Sequence, residues 1–125
     1  METIVARDRH RDRHCGLDVV GTDVYCKIPH ATKGYVLLRL GGEHYDAEPL
    51  RVAIIDSNGA IAPPNDWPGQ LCHGEHPILK VPFACVRGTY EYHTFPGHNT
   101  DPWDAYRDQI RLPDLLDHLL RKAGR

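Results

Sequence analysis

From Leu17 onward the chain alternates short apolar runs with turn residues. Asp18 to Ile28 carries Val19, Val20, Val24, Tyr25, Cys26 and Ile28 with Gly21 inside it, and Gly34 precedes the denser run Tyr35 to Leu40. Short apolar runs bounded by turn residues pack as strands on a pleated surface, so this stretch predicts two or three of them, with Gly21 as a turn or bulge. Gly41-Gly42 closes the run. Leu50 to Ile55 supplies a further strand, ended by Asp56-Ser-Asn-Gly59, a composition suited to a tight reversal. The pattern predicts an antiparallel sheet with short connections.

The pattern changes after Ile61. Pro63, Pro64, Pro68, Pro77 and Pro82 each lack a backbone N–H and fix φ, which rules out a long helix over 62–82 and predicts an extended segment crossing one side of the sheet. Further on, Asp101-Pro102-Trp103 reads as a cap with proline at the first helical position, and Leu112-Pro113-Asp114 repeats the device. Leu112, Leu115, Leu116, Leu119 and Leu120 then place an apolar stripe on one helical face. Asp114 and Asp117 early in that helix, with Arg121 and Lys122 late, match the backbone dipole, and Gly124 can end it. Strands first and helices last predict an α+β layer arrangement in place of alternating βαβ units.

Composition narrows the partners. Fifteen Lys and Arg against seventeen Asp and Glu give a formal charge of −2, and no basic patch extends past the first fourteen positions, so nucleic acid is not expected as a partner. No run approaches the ~18 apolar residues that span a bilayer, and the first residues lack an apolar signal core. Four cysteines without a tight CxxC pair point to free thiols in a reducing compartment, so a cytoplasmic location is expected. Residues 2–14 alternate charge and offer little to bury, so 1–16 is read as a flexible or loosely docked N-terminal arm and 17–125 as a single domain. His10 and His14, four apart on a helix, could hold a metal, although a solvated surface is the preferred reading of the tract.

Several motifs fall in a telling order: Tyr45-Asp-Ala-Glu-Pro49, the strand Val52 to Ile55, Pro64-Asn65, Gly69-Gln-Leu-Cys72, then Trp103 and the terminal leucine helix. Together they resemble the ubiquitin-conjugating (E2) family, particularly its divergent bacterial branch found beside ubiquitin-like systems. Pro63 stands where that family carries histidine, and Asp46 where it carries proline. The resemblance implies an E2-like fold, an antiparallel sheet with C-terminal helices packed on it. It also implies that Cys72 accepts a ubiquitin-like protein as a thioester from an activating enzyme, while Asn65 stabilises the tetrahedral intermediate as an amine attacks. A thiolate suits that chemistry as both nucleophile and leaving group, and a fixed amide donor suits the oxyanion.

Other readings use the same residues. Cys72 after Leu71 can be a small core hydrophobe, and Asn65 among prolines a turn residue. On the same scaffold the chain can be a non-catalytic binding module. Cys72, His76, Cys85 and His93 form a Cys2His2 composition that suits zinc, with close ligand spacing only at 72/76. A metal there would remove Cys72 as a nucleophile. His73, His76 or His93 could instead serve Cys72 as a general base, and His93 or His98, arriving from another segment, suits that role better than the adjacent His73. Asp101, Asp104 and Asp108 could orient such a histidine or an incoming lysine.

Overall fold

The apolar runs pair in the order in which they occur. A computed structural model describes residues 17–45, 47–98 and 100–124. In it β1 (Leu17–Val20), β2 (Asp23–His30), β3 (Gly34–Gly41) and β4 (Arg51–Ile55) form one antiparallel meander. The arm expected over 1–16, with His10 and His14, lies outside the described residues. Gly21, between β1 and β2, holds φ at +62°, a left-handed conformation open to glycine at little cost.

Register decides what faces inward. Val24 lies opposite Leu40, Cys26 opposite Leu38 and Ile28 opposite Val36, while Leu40 and Leu38 also face Val52 and Ile54 across the next pair. All of these side chains are buried, and a slip of one residue would turn the set to solvent. On β4 the residues Val52–Ile55 are buried without alternation, as in a strand covered on both faces.

The crossing segment contains no long helix, in line with its prolines. It makes a 3-10 turn at Pro64–Asp66, then a small hairpin of β5 (Gly74–Glu75) and β6 (Pro82–Phe83). Trp67 is buried and donates its indole N–H to the Ala62 carbonyl at 2.9 Å. Leu71 and Phe83 are buried completely.

Two helices follow, α1 (Tyr90–His93) and α2 (Leu112–Ala123). Leu112, Leu115, Leu116 and Leu119 bury the expected stripe, and Asp114 Oδ2 accepts the Arg111 N–H at 3.0 Å. Where the helix ends, Gln70 N–H reaches the Lys122 carbonyl at 3.0 Å, which the Gly124 cap N–H also approaches. Beside it Gly69 has φ +55°, and a Cβ there would lie 2.2 Å from the Ala123 carbonyl oxygen. This close approach fastens the end of α2 to the crossing segment.

The helix expected to start at Pro102 is a correction. Trp103–Ala105 is a single 3-10 turn, closed by i to i+3 bonds from Ala105 N–H to the Pro102 carbonyl and from Tyr106 N–H to the Trp103 carbonyl. The chain is extended again at Arg111, ψ 173°, before α2 begins. Among the described residues, then, the protein is an α+β arrangement: a four-stranded antiparallel sheet with two helices C-terminal to it. No described helix is long and apolar enough to cross a membrane.

Candidate functional site

The turn after β6 gathers the reactive side chains. Val86 N–H closes on the Ala84 carbonyl at 3.0 Å, a three-residue turn that places Cys85 at its apex. Thr89 then joins this turn to α1: its hydroxyl donates to the Val86 carbonyl at 2.8 Å and accepts the Tyr92 N–H at 3.1 Å, capping the helix. Cys85 is half-buried, and its Sγ lies 3.5 Å from His98 Nε2. Burial pushes the Cys85 thiol above its ordinary range, with Lys122 pulling the other way. The resting group is therefore S–H, within hydrogen-bond reach of the imidazole.

His98 is held by an aromatic stack. Its ring lies 4.0 Å from that of Tyr92 with 15° between planes, and its backbone closes the turn through His98 N–H to the Phe95 carbonyl at 2.9 Å. The Tyr92 hydroxyl donates to Asp101 Oδ2, and Arg87 Nε donates to the same oxygen at 3.2 Å. A hydrogen bond from Tyr106, followed by the one from Tyr92, holds the Asp101 carboxyl below its ordinary range. Burial, and then the same Asp101 bond, pushes the Tyr92 phenol up. The result is a carboxylate hub that fixes Tyr92, which in turn fixes the imidazole facing the thiol.

The expected site residues are placed as follows. Cys72 is half-buried against the core edge, and its nearest polar partner is the Gly74 carbonyl at 3.9 Å. Asn65 is exposed on the 3-10 turn, and no hydrogen bond joins it to Cys72. His93 is anchored at both ring nitrogens. Nε2 accepts the Gly88 N–H at 3.0 Å and Nδ1 donates to the Asp101 carbonyl at 2.8 Å, while burial lowers its pKa from the ordinary histidine value. His93 thus ties the segment after Cys85 to the one bearing Asp101.

His76 is also structural. It is completely buried, with Nδ1 accepting the N–H groups of Ile78 and Leu79 at 3.1 and 3.0 Å and Nε2 donating to the Glu91 carbonyl at 3.0 Å. Among the described residues no three His, Cys, Asp or Glu side chains assemble as a metal-ion set. Cys72, His76, Cys85 and His93 therefore do not converge, and the engaged rings of His76 and His93 leave no lone pair for zinc.

Sequence reasoning placed Cys85 only among zinc ligands and did not pair it with His98, thirteen positions on. The available signal was the density of polar chemistry in Cys85-Val-Arg-Gly-Thr-Tyr-Glu-Tyr-His and the nearby His98 and Asp101. A groove of about 500 Å³ lies elsewhere, lined by Tyr35, Ile54, Ile55 and Ala62 with Lys33 and Asp66. None of the cluster residues lines it. Compared with known proteins, the chain matches no family model and no curated protein.

Proposed function

We propose that the chain is an E2-like acyl carrier whose working thiol is Cys85, with His98 as its base. The observation that carries this reading is the 3.5 Å approach of Cys85 Sγ to His98 Nε2. An antiparallel meander followed by a crossing segment and C-terminal helices is consistent with the E2-like arrangement. In the reaction, the Cys85 proton passes to His98 Nε2 as Sγ attacks the thioester carbonyl joining a ubiquitin-like protein to its activating enzyme. The enzyme's thiolate leaves and takes that proton from the imidazolium. An acceptor amine then attacks the Cys85 thioester, His98 receives the amine proton, and the Cys85 thiolate leaves and is reprotonated. The elevated pKa of the thiol makes the base necessary, since little thiolate is present before the proton moves. On this reading the protein works in a reducing, cytoplasmic compartment, where its thiols persist.

The test is intact-mass analysis after incubation with a glycine-terminated peptide thioester. The expected result is one adduct, reversed by thiol, absent in Cys85→Ala and retained in Cys72→Ala. An adduct that follows Cys72 would restore the Cys72–Asn65 assignment, and no adduct on either cysteine would leave a non-catalytic binding module.

A further inference from the structure

Arg87 does more than hold Asp101. Its guanidinium carbon lies 4.7 Å from the Tyr106 ring centre and 5.9 Å from that of Tyr92, so the fork is steadied by two aromatic rings. One N–H, at Nε, is used by Asp101 and a further hydrogen bond joins the guanidinium to the Tyr92 hydroxyl, while half of the side chain is open to solvent. Among the described residues, Asp101 is the one carboxylate paired with it. Asp101 itself is also bonded by Tyr92 and Tyr106, so its charge is shared among three donors. A guanidinium has five N–H donors, and with Asp101 and Tyr92 engaged the remaining N–H groups, held in place by rings and a carboxylate, are left to meet a second carboxylate.

The position of this fork matters. The ring of Tyr92 that stacks on His98 is the same ring beside Arg87, so both the fork and the imidazole are positioned by Tyr92. Lys122 adds positive charge near Cys85. We propose that Arg87 forms a carboxylate-binding site beside Cys85, taking an acidic side chain in the peptide tail that delivers the acyl group. The proposal rests on Cys85 being the acylated thiol. It adds a substrate class, acyl donors with an acidic residue close to the reacting carbonyl, held by Arg87 while Cys85 attacks.

The experiment uses the full chain and paired peptide thioesters, identical except for Glu or Gln one, two or three residues from the thioester. Acylation of Cys85 is followed by mass, and non-reactive amide versions of the same peptides are titrated by calorimetry. For at least one spacing, the Glu peptide is expected to load roughly tenfold faster than its Gln partner. That advantage should vanish in Arg87→Gln and survive only in part in Arg87→Lys, which keeps the charge without the fork. Circular dichroism confirms that the variants remain folded. Equal loading of Glu and Gln peptides at every spacing, or an advantage that persists in Arg87→Gln, overturns the site. If no peptide acylates Cys85, the reading beneath it fails, and the amide titrations decide the site separately. Binding of Glu amides lost in Arg87→Gln sustains it, and binding indifferent to Glu, Gln or Arg87 ends it.

Discussion

Glu91 offers the most quantitative test of how α1 is held. It is buried beside β4, and its Oε1 accepts the Val52 N–H at 3.0 Å, so a side chain caps a strand edge that another strand would otherwise cover. Burial raises its carboxyl from 4.5 to about 7, against smaller opposing effects from the Val52 bond and from Arg51 and Arg39. The folded protein therefore keeps a proton that the unfolded chain releases near 4.5. Stability from that proton is complete below the unfolded value and is lost as pH rises through about 7. At about 1.4 kcal/mol per tenfold change, the full difference is roughly 3 kcal/mol.

Glu91→Gln keeps the acceptor for Val52 and cannot ionise. Its amide N–H groups take the place of one oxygen in a buried position, which costs about 1–3 kcal/mol at every pH. Urea unfolding of both proteins from pH 5 to pH 8 separates the effects. Wild type is expected to be the more stable at pH 5, with the gap closing or reversing by pH 8, a change of roughly 3 kcal/mol. His93, whose pKa is lowered by burial, pulls stability the opposite way as pH falls below 6.5, and Asp101 does so below 3.8. Both groups are common to the two proteins and cancel in the difference. A gap that stays constant from pH 5 to pH 8 refutes the reasoning.

Further predictions concern single contacts. His76→Leu removes the acceptor of the half-buried N–H groups of Ile78 and Leu79 and the buried donor to the Glu91 carbonyl, so chemical denaturation should register a loss of about 2 kcal/mol; a loss under about 0.5 kcal/mol contradicts the structural role of that ring. Gly69→Ala drives a Cβ into the Ala123 carbonyl at positive φ, and a loss of at least about 2 kcal/mol is expected in the same assay. Because burial pushes the Cys85 thiol up, site-resolved alkylation by iodoacetamide should be slower at Cys85 than for a free model thiol at pH 7 and should rise steeply on the alkaline side. A Cys85 that alkylates faster than the model thiol at neutral pH would contradict a resting S–H.

Much of the fold was legible because one physical rule acts alone over long stretches. Alternation and turn glycines defined the strands, prolines kept 62–82 free of a long helix, and the leucine spacing located α2. The short helix α1 escaped notice because four residues carry no periodic signal, and its existence depends on Thr89 and Glu91 finding partners in other segments. The turn at Trp103 was misjudged because a proline near an acidic residue marks an N-terminus without saying how far the helix runs. At the site, the sequence favoured Cys72 and Asn65, which lie close in the chain, whereas Cys85 and His98 meet through a turn and an aromatic stack. Histidines were the least legible residues. His76 and His93 turned out to be fasteners for backbone groups, a role settled by tertiary partners alone.

The measurement that bears most directly on the central claim is the single-turnover rate of Cys85 acylation by a peptide thioester, in wild type and in His98→Asn, with the labelled cysteine mapped by peptide sequencing. With His98 taking the proton of a thiol that rests as S–H, the variant should lose about 10²- to 10⁴-fold in rate at neutral pH while the acyl group still maps to Cys85. Equal rates in the two proteins, or an acyl group found on Cys72, would contradict the account.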